Sequence, residues 1–266
     1  VTPTDTRPSE EKRVIISVSF WFFLAIVVLA PLPYGSAHIW SSNLLSVLTG
    51  VALLLWTIAA AIREEAYAIR AIRYGLPAAL MAIVLVWIFV QASSVVPASL
   101  HHPVWAEVRT ALGNENIRGS ISLDPNGTLL TLTRISTYAA VFWLAMQYCQ
   151  SERRAHIVFW AIAIAGFFYA AYGISAFLSG SGKILFADKW AYQLSLTSTF
   201  VNRNHYAVFA GMGLVTSFAL TIRYLKRDAS GAFDNSRRFL NSVENLSVPV
   251  FVLAGICLVT GSALLL

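Results

Sequence analysis

A run of mostly polar side chains, Thr199-Phe200-Val201-Asn202-Arg203-Asn204-His205, stands directly before an apolar stretch at 206–222. Polar groups at the edge of hydrocarbon are costly unless they are paired or face a cavity, so such a cluster is a functional candidate. If a helix starts near Asn204, its first N–H groups and positive dipole end lie beside the Arg203 guanidinium, an arrangement suited to phosphate. The same residues also serve a plainer purpose, with Asn202 or Asn204 capping the helix and Arg203 reaching toward lipid phosphates. Residue types alone weigh the two readings equally. His205 is a candidate base by residue type, since imidazole is the usual general base of enzymes, but at a helix start a capping or interface contact accounts for it.

Other residues with chemical potential have simpler explanations. Gly180-Ser181-Gly182-Lys183 is not a phosphate-binding P-loop, because Phe177 occupies the place of its first glycine and Ile184 that of its Ser or Thr. Neighbouring His101 and His102 point apart on any regular backbone and make a poor metal pair. His38 and His156 fall in a short loop and at a helix start. Cys149 and Cys257 sit in or beside apolar runs without metal-ligand spacing, which supports neither a disulfide framework nor a zinc site.

The elements that must position these residues are set by composition. Of 266 residues 57% are hydrophobic and 12% charged, against about 45–50% and about 25% in ordinary globular chains. Charge-free apolar runs fall at 14–33, 43–62, 76–96, 135–149, 157–179, 206–222 and 248–266. Most are about twenty residues, enough to cross a hydrocarbon core about 30 Å thick. The fourth is short and has to borrow 129–133 or Gln150. The expected fold is therefore all-α, a polytopic transmembrane helix bundle of about seven spans. This excludes a soluble enzyme, a nucleic-acid binder and a disordered adaptor. The first run is too long for a signal-peptide core, and Pro31-Leu32-Pro33-Tyr34 is no Ala-x-Ala cleavage site.

The net charge of +6 follows topology rather than nucleic acid. With the N-terminus cytoplasmic, thirteen Lys and Arg fall inside: Arg7, Lys12, Arg13, Arg63, Arg70, Arg73, Arg153, Arg154, Arg223, Lys226, Arg227, Arg237 and Arg238. Six fall outside: Arg109, Arg118, Arg134, Lys183, Lys189 and Arg203. That excess is the positive-inside pattern. The chain divides into a cytoplasmic tail, 1–13, and a transmembrane domain, 14–266, with outward loops at 97–134 and 180–205. An amphipathic stretch around Val104–Leu112 suits the interface, and the connector from Arg223 through Leu246 is polar. Tryptophans such as Trp21, Trp40, Trp87, Trp105, Trp143, Trp160 and Trp190 fit an aromatic belt.

Ser198-Thr199-Phe200-Val201-Asn202-Arg203-Asn204-His205-Tyr206-Ala207 resembles the Gly-Thr-Phe-x-Asn-x-Asn-x-x-Ala signature of the O-antigen ligase and Wzy-type polymerase family. Leu32-Pro33-Tyr34-Gly35-Ser36-Ala37-His38-Ile39-Trp40 is similar to that family's Pro-Phe-Gly-Ser-Val-His stretch after its first span. Ile121-Ser122-Leu123-Asp124-Pro125 resembles a run before its fourth or fifth. The likeness extends from about residue 30 to about residue 210. It implies a multi-pass protein of the bacterial inner membrane that takes a glycan from undecaprenyl diphosphate and joins it to an acceptor outside the cytoplasm. Such transfer needs cations for the diphosphate leaving group and a base for the acceptor hydroxyl. The resemblance implies Arg203, Asn202, Asn204, Lys189 and Arg134 as the diphosphate-binding set, with Arg118 and Arg109 on the same side of the membrane. No catalytic residue is assigned, and no divalent metal or other cofactor is expected, since arginines take the charge. Its partners would be membrane lipids and the polyprenyl-diphosphate glycan donor.

The sequence departs from the family at Ser198, where members carry Gly, and at Gln193-Leu194-Ser195-Leu196, where they often carry an Arg. Members also have further spans and a large loop with a catalytic His and Arg downstream, which do not occur before Leu266. The expectation is thus the N-terminal part of such a ligase. The alternative is a non-catalytic transmembrane subunit packed against other membrane proteins in a larger assembly. A transporter ranks last, because the spans lack paired Gly/Pro-broken helices and buried acids.

Overall fold

The computed structural model describes residues 10–63, 74–229 and 248–265, with side chains left out near some segment ends. Most of it is helix: α1 (Glu10–Leu29), α2 (Ile39–Arg63), α3 (Gly75–Ala92), α4 (Val104–Leu112), α5 (Pro125–Tyr148), α6 (Glu152–Leu178), α7 (Arg203–Ala229) and α8 (Val248–Leu265). The one sheet is a two-stranded hairpin, β1 (Lys183–Ile184) against β2 (Ala187–Asp188). Among the described residues, the six helices α2, α3, α5, α6, α7 and α8 are long and apolar enough to cross a membrane. The apolar part of α1, Ser17–Leu29, is shorter. The start of the expected tail 1–13 with Arg7, the basic residues Arg70 and Arg73, and the connector from residue 230 with Arg237 and Arg238 lie outside the described residues.

The expected short fourth span is a 24-residue helix, because α5 begins at Pro125 rather than near 135. Asp124 caps it, its Oδ1 accepting the Gly127 N–H at 2.9 Å, and Pro125 follows where its missing N–H costs nothing. Three threonines inside the helix return their hydroxyl protons to carbonyls four residues back, Thr131 to Gly127, Thr133 to Leu129 and Thr137 to Thr133. A polar stretch is thereby made compatible with a helix in hydrocarbon. The amphipathic segment Val104–Leu112 is the nine-residue helix α4, closed by Gly113 in the left-handed region (φ 60°).

The chain forms two compact units, one of residues 1–19 and 46–147 and a second of residues 20–45 and 148–266. In the first, the Thr137 and Ser46 hydroxyls lie 2.8 Å apart in a hydrogen bond and the Trp56 and Trp143 rings meet edge to face with centroids 6.0 Å apart. No residue of α3 is buried, so its apolar surface is available to lipid on all sides.

In the second unit α6, α7 and α8 pack pairwise. Lipid tails are as apolar as leucine, so helices in membranes associate through close fit, and small residues allow that approach. The tightest point is Gly166 of α6 against Gly213 of α7, where a Cβ on Gly166 would stand 2.9 Å from the Gly213 Cα and 3.7 Å from the Thr260 methyl of α8. Ala163, Leu220, Leu253 and Ile256 fill the core on one side of this crossing. Ala170, Leu196, Phe200, Tyr206, Ala210 and Ala263 fill a second cluster that reaches the loop before α7. The α1 rings Phe20 and Phe23 join the same unit on Tyr148 (centroids 5.5 and 5.2 Å), and the Tyr169 hydroxyl donates to Val28 O at 3.0 Å.

The glycine crossing has a direct test. Gly213→Ala forces α6 and α7 apart and is expected to cost about 1–3 kcal/mol, the usual range for overpacking, read as a lower unfolding midpoint in detergent. Gly211→Ala, two residues away with nothing within 4 Å of its added Cβ, is expected to leave the midpoint unchanged or raise it slightly.

Candidate functional site

The polar run before α7 is held from below before it offers anything to solvent. Thr199 is 1% exposed, and its hydroxyl donates to the Pro31 carbonyl at 2.7 Å. Phe200 lays its ring over Gly35, where any Cβ would collide with it. The ring also packs on Tyr206 and Phe209 (centroids 6.0 and 5.5 Å). Ser198 donates its hydroxyl to Tyr169 O at 2.7 Å. The stretches 32–40 and 198–207, far apart in sequence, are therefore one structure.

The turn beneath Phe200 is unusual. Tyr34 (φ 57°), Gly35 (φ 63°) and Ser36 (φ 55°) are all left-handed, a conformation costing roughly 1–2 kcal/mol at each non-glycine position. It is held by Gly35 N–H to Pro31 O (3.0 Å), Ser36 N–H to Pro33 O (2.9 Å) and the Ser36 hydroxyl to Ala30 O (2.7 Å). Among the described residues five non-glycines have positive φ, namely Tyr34, Ser36, Leu185, Tyr192 and Ser198. All belong to this turn or to the loop between α6 and α7. Such strain persists where surrounding contacts over-determine it and gathers at functional sites.

With the run anchored, α7 starts at Arg203. Asn202 is the cap: its Oδ1 accepts the Asn204 N–H at 2.8 Å and its carbonyl accepts the Tyr206 N–H at 3.1 Å. The capping role weighed from sequence thus falls to Asn202, not Asn204. Arg203, Asn204 and His205 are exposed. The Arg203 guanidinium lies 5.8 Å from the Tyr192 ring centroid, a cation–π contact that steadies it without neutralising it. The N–H groups of Arg203 and His205 have no intrahelical acceptor, as in any first turn, and the helix dipole adds positive potential there.

Beside this lies an aromatic group that the sequence reading assigned to a belt. Trp190 contacts His38 (5.2 Å) and Tyr34 (5.9 Å), and Tyr34 contacts His38 (4.9 Å) and Trp40 (6.5 Å). Trp190 and Trp40 remain more than half exposed. The tetrapeptide Pro33-Tyr34-Gly35-Ser36 signals a turn in the sequence; the contacts that gather these rings are tertiary.

Lys189 is placed differently from Arg203. It is 9% exposed, donates from Nζ to Ser195 O at 2.6 Å, and lines a cavity of about 490 Å3 whose walls are residues from 173 to 198. Burial pushes its ammonium below the usual lysine range. Asn202, Arg203 and Asn204 do not line that cavity. Arg134 is half-buried within α5 of the other unit. Of the five residues expected to bind diphosphate, the structure groups Asn202, Arg203 and Asn204 and puts Lys189 in a cavity of its own. His101 bonds through Nε2 to Val96 O (3.0 Å), and His102 Nδ1 accepts the Val104 N–H (3.3 Å), so each ring is engaged locally. Asp124, in the third resemblance segment, is a helix cap.

Compared with known proteins, the chain matches no family model, no curated protein and no solved structure.

Ser198 offers a test of the anchoring. Ser198→Ala loses the bond to Tyr169 O and keeps the left-handed strain at φ 49°, whereas Ser198→Gly loses the bond and relieves the strain. Both destabilise, and Gly is expected to retain about 1 kcal/mol more stability than Ala, measured by unfolding in detergent. Ala equal to or better than Gly contradicts the strained geometry.

Proposed function

We propose that the chain is a bacterial inner-membrane glycan ligase or polymerase of the O-antigen ligase kind, which takes a glycan from a polyprenyl diphosphate and passes it to an acceptor on the periplasmic face. The observation that carries this reading is the union of the segments 32–40 and 198–207: the two stretches that resemble the family's separate signatures interlock through Thr199, Pro31, Gly35 and Phe200. Six membrane-length helices supply the setting.

In this reading the donor's diphosphate meets the N-terminal end of α7. The departing diphosphate gains negative charge as the glycosidic C–O bond breaks. Preorganised donors that act on charge appearing in the transition state accelerate such a step most. Arg203 presents a planar guanidinium fork to the phosphate oxygens, and the first-turn N–H groups add donors. Asn202 fixes where the helix begins and so where those donors point, and Asn204 is exposed beside them. Trp190 and Trp40, half-open and braced by Tyr34 and His38, are suited to stack on the lipid interface or on sugar rings. The acceptor's base is unassigned. The partners in this account are membrane lipids, the glycan donor and further membrane subunits.

The test is a complementation assay for glycan transfer with membrane localisation monitored in parallel. Arg203→Ala is expected to lower transfer by at least about a hundredfold, the scale of losing one oxyanion donor, while the protein stays in the membrane. Arg203→Lys, which keeps charge but loses the fork, is expected to fall between. Unchanged transfer in Arg203→Ala would reject the proposal that Arg203 clamps the diphosphate.

A further inference from the structure

The cavity holding Lys189 contains a cation without a counter-ion. Lys189 is more than nine-tenths buried, and its Nζ carries three donors, of which one is used, on Ser195 O. No Asp or Glu lines the cavity, and among the described residues Lys189 has no carboxylate partner. Asp188 precedes it in β2 but is exposed and registers with Lys183 across the hairpin. An ammonium held inside a loop without an acidic partner is unfavourable, and the loop is built to keep it there. The Lys189 N–H donates to Gly182 O (2.9 Å) and Gln193 donates from Nε2 to Lys189 O (3.3 Å). The Tyr172 hydroxyl accepts the Leu185 N–H at 2.7 Å, which fixes the hairpin.

The rest of the lining suits an anion. The C-terminal carbonyls of α6 would oppose one, but they are capped: Gly180, at φ 62°, donates to Phe177 O (3.1 Å) and Ser181 N–H to Ala176 O (3.3 Å), the double bond of a Schellman end. Lys183 adds a second positive charge at the wall. Among the described residues the Thr197 hydroxyl has no hydrogen-bond partner, and Gln193, exposed at the rim, uses only its amide nitrogen. These are partners for hydroxyl groups rather than for apolar surface. The volume of about 490 Å3 falls within the span of small-molecule sites.

We infer that this cavity is a binding site for a sugar-sized, hydroxylated anion, with its carboxylate or phosphate on Lys189 and its hydroxyls on Thr197 and Gln193. It is separate from the proposed diphosphate position at Arg203 and stands whether or not the chain transfers glycans. If it does transfer them, the site selects an acidic sugar.

The experiment uses the full chain in lipid nanodiscs at constant ionic strength, with glucuronate, glucose 6-phosphate, glucose and inorganic phosphate as probes. The expected result is that glucuronate or glucose 6-phosphate raises the unfolding midpoint and glucose does not, and that Lys189→Met weakens that binding at least tenfold. Arg203→Ala is expected to change it less than threefold. Which of the two anions binds identifies carboxylate or phosphate as the group taken. Inorganic phosphate matching the sugar anions overturns the sugar-sized ligand, and equal binding in Lys189→Met overturns the site. Should Lys189→Met fail to fold, the wild-type protein still decides: the bound sugar anion must protect Lys189 from reductive methylation, read by mass spectrometry, and absence of protection overturns the proposal. Loss of transfer in Arg203→Ala with no anion binding at Lys189 would sink this inference and leave the diphosphate reading intact.

Discussion

The Pro31 carbonyl accepts two hydrogen bonds, one from the Gly35 N–H at 3.0 Å and one from the Thr199 hydroxyl at 2.7 Å, and the candidate site is arranged around that shared acceptor. The first bond closes the left-handed turn that follows α1. The second ties that turn to the segment that starts α7. Because Gly35 has no side chain, Phe200 can lie against its backbone, which brings an aromatic ring into the junction beside the buried Thr199 bond. Hydrogen bonds in such surroundings are stronger, and breaking one strands a buried acceptor or donor. The strain at Tyr34, Ser36 and Ser198 is sustained by this junction and not by local preference.

Fixing the segment below separates two kinds of cation above it. Arg203 projects from the first turn of a 27-residue helix, exposed and braced on the Tyr192 ring, where a large ligand can reach it. Lys189 follows directly after β2 and is covered by its own loop. Lys189 lies in the loop before α7 and Arg203 in the first turn of that helix. Neither their number nor their spacing distinguishes these roles; burial does.

Much of the architecture was legible because hydrocarbon leaves few options. A charge-free run of about twenty residues must be a helix there: six of the seven apolar runs correspond to α2, α3, α5, α6, α7 and α8, whereas the first yields only the shorter apolar helix Ser17–Leu29 within α1. The misplaced start of α5 is instructive: Thr128, Thr131, Thr133 and Arg134 read as loop by polarity, but a threonine hydroxyl can bond the carbonyl a turn earlier. A capping role for Asn202 was also within reach, since Asn at a helix start has few other uses. What could not be read were contacts across the chain. Nothing in Pro31 or Gly35 announces Thr199 and Phe200 as partners, and Lys183 and Lys189 look alike until the hairpin covers one of them.

Gly35 and Phe200 are coupled across the junction, and a double-mutant cycle measures that coupling. Unfolding midpoints and free energies in detergent are compared for wild type, Gly35→Ala, Phe200→Ala and the double variant. A methyl at Gly35 collides with the Phe200 ring, so removing the ring relieves part of the damage. The double variant is expected to be less destabilised than the sum of the singles by about 0.5–3 kcal/mol, the range for residues in contact. Strict additivity would contradict it, because it would mean that the turn after α1 and the start of α7 fold without reference to each other.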